Sequence, residues 1–219
     1  LAIVALLLNA CGPAEQSADS EKSIEDELAA SAVNDTTAEE EELEDEYFLL
    51  PSPMQIGSIF QNSGLKYVDG VTHDPTKHEE YVTKLKQALN LGTYFADLTY
   101  CVLNDQTQQA ITHLSAVKGL SEGIGLSAVF GSKNFMQRFE NNLGNQDSIL
   151  GIVIDVQDQM DYYIDENDMK DMESVIFTGG WVEGMYIGIE ARDKMNKNSI
   201  MIRLIEQMTI LNNLNKTLK

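Results

Sequence analysis

Ser52-Pro53-Met54-Gln55-Ile56-Gly57-Ser58-Ile59-Phe60-Gln61-Asn62-Ser63-Gly64-Leu65 reads as one complete helix with its own start and stop. Ser52 offers an N-cap hydroxyl, and Pro53 fits the first helical position, where no N–H is needed. Met54, Ile56, Ile59 and Phe60 then form an apolar face. Gly64 followed by Leu65 has the form of a left-handed C-cap with its hydrophobic contact. This pattern decides the fold, because it recurs along the rest of the chain.

After a loop through Val68-Asp69-Gly70, Thr76 and Glu79 have capping-box spacing behind Asp74-Pro75. They predict a helix carrying Tyr81, Leu85, Ala88 and Leu89 that stops near Gly92. Thr93 to Leu103 is apolar nearly all round, the mark of a buried helix. Gln106 to about Leu120 places Ala110, Ile111, Leu114 and Val117 on one side. A shorter helix near Asn134–Leu143 ends at Gly144, and Asp147 to about Glu166, Asp168 to about Lys194 and Ser199 to Leu218 follow. In the last of these, Met201, Leu204, Ile205, Met208 and Leu211 recur at three- and four-residue spacing. No stretch alternates like a strand. The expected fold is all-α: a single domain over 47–219, with about seven or eight helices and enough length to bury a core.

The first 46 residues have a different character. Gly12 to Glu46 holds 14 acidic residues and one Lys, a net of −13 out of a total of −20. Few large apolar residues stand among them, so the segment cannot bury enough surface to offset its ordering entropy. A disordered acidic tether is expected, spanning about 30–35 Å r.m.s. and further extended by self-repulsion. The acidity also excludes nucleic acid as a partner class, since its phosphates are bound through Lys and Arg.

Ahead of the tether runs the apolar block Leu1-Ala2-Ile3-Val4-Ala5-Leu6-Leu7-Leu8, then Asn9-Ala10-Cys11-Gly12-Pro13. A membrane-spanning helix needs about 20 apolar residues, and this run is too short. A short apolar region ending in small residues reads instead as a processed signal. Leu8-Asn9-Ala10-Cys11 resembles the lipobox of bacterial lipoproteins. The resemblance implies a signal peptide over 1–10 that begins upstream of Leu1, and a linker over 11–46 whose first residue, Cys11, carries a diacylglyceryl thioether and a third acyl chain. Two or three chains anchor stably where one does not. Gly12 stands where some inner-membrane lipoproteins have Asp, so the resemblance implies the outer membrane as the destination. With Cys11 lipidated, Cys101 has no disulfide partner, and its apolar neighbours predict a small buried hydrophobe.

Thr178-Gly179-Gly180-Trp181-Val182-Glu183-Gly184-Met185-Tyr186-Ile187-Gly188 is the most distinctive segment of the domain. Gly180, Gly184 and Gly188 fall on one ridge, and each glycine inside a helix costs about 0.5–1 kcal/mol relative to Ala. Close approach of a neighbouring helix is one reason to keep them. The other is close approach of a ligand, with Trp181 and Tyr186 as aromatic walls and Glu183 as a buried acid of functional-site type. His73, Asp74, His78, Glu79 and Glu80 carry metal-ligand chemistry, but His73 precedes Pro75 and falls off the helix face, so capping and solvated charge account for them. No metal and no cofactor is expected. His113, alone on its helix, is expected to be half-buried. Asp161 to Glu173 lacks the glycine of a calcium loop and reads as a helix–helix connection with an N-cap at Asn167 or Asp168. Gly119, Gly123, Gly125 and Gly131 read as loop or cap glycines.

Leu91-Gly92-Thr93-Tyr94-Phe95 with Gln109-Ala110-Ile111 resembles one tetratricopeptide-type helix pair, but the spacing is several residues too long and no second copy follows. Leu50-Pro51-Ser52-Pro53, Ala88-Leu89-Asn90-Leu91-Gly92 and Gly179-Gly180-Trp181-Val182-Glu183-Gly184 resemble a family of all-helical bacterial lipoproteins. That resemblance covers most of Leu50–Leu218 and implies no activity. The expected function is a lipid-anchored, non-enzymatic module of the cell envelope that binds a protein or a small apolar ligand. The alternatives are an envelope hydrolase using Glu183 with His113 or another carboxylate, and a carrier of an apolar ligand beside the Gly180/Gly184/Gly188 ridge.

Overall fold

The computed structural model describes residues 51–131, 134–195 and 198–217. The expected signal peptide, the lipidation at Cys11 and the tether lie outside them. In chain order, α1 spans Pro53–Asn62, a 3-10 turn Pro75–Glu80, α2 Lys84–Leu103, α3 Thr107–Ile124, α4 Ser127–Gly131, α5 Phe135–Asn141, α6 Gln146–Glu166, α7 Lys170–Met195 and α8 Asn198–Thr217. Among the described residues the fold is all-α and has no strand. None of these helices is long and apolar enough to cross a membrane.

The opening helix forms as its sequence dictates. Gln55 N–H donates to Ser52 Oγ, and Ser52 N–H donates to Gln55 Oε1, a reciprocal capping box. At its other end Gly64 takes φ 91°. Its N–H donates to Gln61 O, and that of Leu65 to Phe60 O, closing a Schellman motif.

Five expectations are corrected. The capping-box helix at Thr76 is replaced by the 3-10 turn, because the Asp74 carboxylate accepts from both the N–H and the hydroxyl of Thr76. The α-helix begins only at Lys84, with Thr83 as its N-cap, and Leu85 and Leu89 face outward. Second, no break occurs at Gly92, and the two helices expected on either side of it are one, α2. Third, α4 is an additional short helix, and Gly119 and Gly123 lie inside α3 rather than in loops. Fourth, α8 is rotated from the expected stripe. Ser199 Oγ donates to Ser63 O at 2.7 Å, and Arg203 Nε to Ser63 Oγ at 3.3 Å, which ties α8 to the end of α1. Ile200 and Gln207 therefore turn inward, while Ile205 and Leu211 are exposed; the side chain of Met208 lies outside the described residues. Fifth, between α6 and α7, Asn167 ends α6 instead of starting α7, and Asp168 takes a left-handed φ of 54°.

The centre of the domain is α2, buried along nearly its whole second half. Its most extensive partners are α7 and α3, and α1 packs on both α2 and α7. A larger apolar cluster joins α2, α3, α4, α5 and α6 through residues such as Leu98, Leu114, Phe135 and Val153. A smaller one joins α1, α7 and α8 through Ile56, Phe60, Trp181 and Ile200.

Glycine sets the α2–α7 distance. A Cβ on Gly92 would strike the Ile176 carbonyl oxygen, and one on Gly179 would strike the Leu89 carbonyl oxygen. The glycine hydrogens point at those carbonyls, which is the geometry of a weak Cα–H···O contact. Gly92→Ala is expected to force the helices apart and cost about 3 kcal/mol or more in urea unfolding, the upper range for overpacking. Gly151→Ala, on an open face of α6 with no neighbour for its Cβ, is expected to stabilise by up to about 1 kcal/mol through helix propensity alone.

Candidate functional site

Asp97 sits mid-way along the buried half of α2, and Glu183 sits on α7 one turn beyond Gly180. Both are buried, at 0% and 4% exposure. The α2–α7 crossing brings them together, and His73 reaches in from the loop ahead of the 3-10 turn. His73 Nδ1 lies 3.4 Å from Asp97 Oδ2 and 3.4 Å from Glu183 Oε2. The backbone N–H of His73 donates to Asp97 Oδ2 at 3.1 Å, which fixes the loop on the helix. Its ring is 41% exposed, so the centre has one open side. The other oxygens, Asp97 Oδ1 and Glu183 Oε1, are buried and have no hydrogen-bond partner.

Aromatic rings wall this centre on the α3 side. Tyr94 meets His73 edge-on at 6.0 Å and His113 at the same distance, with Tyr81 at 6.4 Å. The Tyr94 hydroxyl donates to Asp74 O at 2.9 Å, holding the 3-10 turn against α2. The two histidines titrate in opposite directions. The carboxylates of Asp97, and then of Glu183, beside its ring lift His73 to about 10, so it is an imidazolium at neutral pH. Burial instead pushes His113 down to about 4, and it stays neutral. Burial also raises Asp97 above the usual carboxylate range, reinforced by the charge of Glu183.

The residues singled out in the sequence are distributed as follows. Gly180 faces Pro53 and Gly92, Gly184 faces Ile56, and Gly188 faces Phe60 and Leu204, so every glycine of the ridge meets a neighbouring helix. The cleft lined by Gly180, Gly184, Pro53 and Ile56 has a volume of about 20 Å³, room for about one water. Trp181 packs into the smaller core cluster, and its Nε1 has no partner. Tyr186 faces outward and is 43% exposed. Of the five residues around Pro75, His73 alone joins the acidic centre. Asp74 caps the turn, His78 Nδ1 bonds Pro75 O at 2.7 Å, and Glu79 and Glu80 are solvated. His113 is fully buried rather than half-buried and pairs with Tyr94, not with Glu183. Cys101 is buried, and its thiol is pushed up to about 12, which makes it unreactive.

Asp97 was the residue missed. Its signal was a lone charge inside the apolar run Thr93–Leu103, since such a charge is almost never fully buried without a partner.

The buried, neutral His113 has a consequence for acid stability. The unfolded chain takes up its proton near the ordinary value of 6.5, whereas the folded chain does so only near 4. Between those values the unfolded state binds more protons, so stability falls as pH drops from 6.5 to 4. The contribution lost is about 3 kcal/mol at one pKa unit per 1.4 kcal/mol. His113→Leu is expected to flatten that limb relative to wild type, while carboxylate contributions cancel in the difference. Urea unfolding from pH 4 to 8 measures both curves.

No protein family matches this chain, and no curated protein or solved structure matches it.

Proposed function

We propose that this chain is a lipid-anchored protein of the bacterial cell envelope, in which a helical domain serves as a non-enzymatic module that binds a protein partner. Leu8-Asn9-Ala10-Cys11 supports the anchor, and the acidic segment after it supports a spacer between bilayer and domain. Outer-membrane placement follows from Gly12 by the resemblance given above.

One observation carries the binding role. Val182, Tyr186 and Ile189 are 53%, 43% and 47% exposed, at i, i+4 and i+7 on the outer face of α7. On α2, Leu89, whose backbone lies against Gly179, and Leu85 one turn before it are exposed as well. Large side chains grouped this way on a surface are a mark of interaction sites, whereas scattered single ones are not.

A second reading, an envelope hydrolase, is favoured by the buried Glu183 and Asp97 beside the half-open His73. It differs from the sequence expectation in pairing Glu183 with His73 rather than His113.

Cys11→Ser is expected to move the protein from the membrane fraction to the soluble fraction of the envelope. A photo-crosslinker at position 186 is expected to give a discrete adduct with an envelope protein. Val182→Asp with Ile189→Asp should abolish that adduct without lowering Tm. Absence of any adduct in anchored and released forms would count against the binding role. Loss of a turnover in Glu183→Gln at unchanged Tm would support the hydrolase instead.

A further inference from the structure

We propose that His73, Asp97 and Glu183 form a binding site for one divalent transition-metal ion, held by His73 Nδ1 and one carboxylate oxygen from each acid. The proposal requires neither reading of function above, although it occupies the residues of the second, and it rests on geometry, burial and donor chemistry.

The spacing fits an ion better than it fits hydrogen bonds. Charge-assisted N–H···O bonds run to about 2.7–2.9 Å, and both Nδ1-to-oxygen distances here are 3.4 Å. Ligands about 2.1 Å from a tetrahedral ion lie about 3.4 Å from one another. One ligand atom from each of the three residues falls within 4.8 Å of the other two, so a small movement of the carboxylates completes the set.

The second oxygen of each carboxylate, Asp97 Oδ1 and Glu183 Oε1, is a buried acceptor without a donor, so neither acid is fully satisfied by the protein's own groups. Coordination at Nδ1 displaces the imidazolium proton to solvent, and the divalent ion takes its place as the counter-charge to the two buried carboxylates. His73 is the exposed member, so the ion has a way in and a coordination position facing solvent.

The donor set selects the class of ion. One imidazole and two carboxylates suit Zn²⁺, Mn²⁺, Fe²⁺ or Co²⁺. Calcium takes six to eight oxygens, more than these three side chains supply. Cys101, one turn from Asp97, is not among the atoms that converge.

The test is calorimetric titration of the full chain, stripped with chelator, with Zn²⁺ and with Mn²⁺. The same titration is run on His73→Ala and Glu183→Gln, and the Tm of each protein is recorded with and without ion. His73 is half-exposed on a loop, so His73→Ala keeps the test valid should Glu183→Gln misfold. The expected result is one tight site per chain and a Tm that rises with ion. Both are lost in each folded variant, with affinity down at least about 100-fold, the upper end of what even a supporting residue contributes. The acidic segment 12–46 binds divalent ions weakly and at several places, and neither substitution changes it. Uptake of neither ion by wild type would overturn the proposal, as would uptake with the same stoichiometry and affinity in the variants.

Discussion

The backbone contact between α2 and α7 is the constraint on which the rest of the domain depends. Gly92 lies against Ile176 and Gly180, and Gly179 lies against Leu89, with carbonyl oxygens where side chains would otherwise stand. Helices that pack through side chains sit about 8–10 Å apart; removing Cβ from the crossing allows a closer approach. The helix-propensity cost of these glycines, about 1 kcal/mol each, is offset by dispersion over the long shared face. α1 then seats on the same ridge through Pro53, Ile56 and Phe60. α8 joins by its hydrogen bonds to Ser63 and by Leu204 against Gly188.

The same crossing explains how two carboxylates come to be buried side by side. Neither acid would enter a core alone, since a charge removed from water without a partner is strongly disfavoured. Asp97 and Glu183 are carried in by helices whose apolar burial outweighs that cost. The His73 loop, pinned by its own N–H on Asp97, supplies the compensating charge. Nearby, His113 meets the opposite environment and stays neutral. Two imidazoles on either side of Tyr94 therefore differ in charge at neutral pH because one faces carboxylates and the other faces apolar side chains.

Much of the fold was legible in local signals. Ser52-Pro53 and Gly64-Leu65 delimit α1 as expected, because caps act within one turn and do not consult the rest of the chain. The burial of Thr93–Leu103 followed from its composition, and the all-α class from the periodicity of the long segments. What misled was glycine. Gly92 carries the signature of a stop, yet it lies inside α2, since the same missing Cβ serves both a chain reversal and a close crossing. On α8 the apolar period was real, but the choice of inward face was made by Ser199 and Arg203 on Ser63.

The candidate centre was half legible. Glu183 stood out as a charge in an apolar segment, and His73 as a possible ligand, but each was matched with sequence neighbours or with the wrong histidine. Asp97 lies within a run whose composition is otherwise apolar, and nothing local marks it as a partner of residues 73 and 183. The sequence by itself determined the helical class and the boundaries set by caps, because propensity and capping act over a few residues. Only the tertiary structure decided that residues 73, 97 and 183 meet. Their proximity comes from one helix crossing and one pinned loop, and such long-range packing leaves no local periodicity to read.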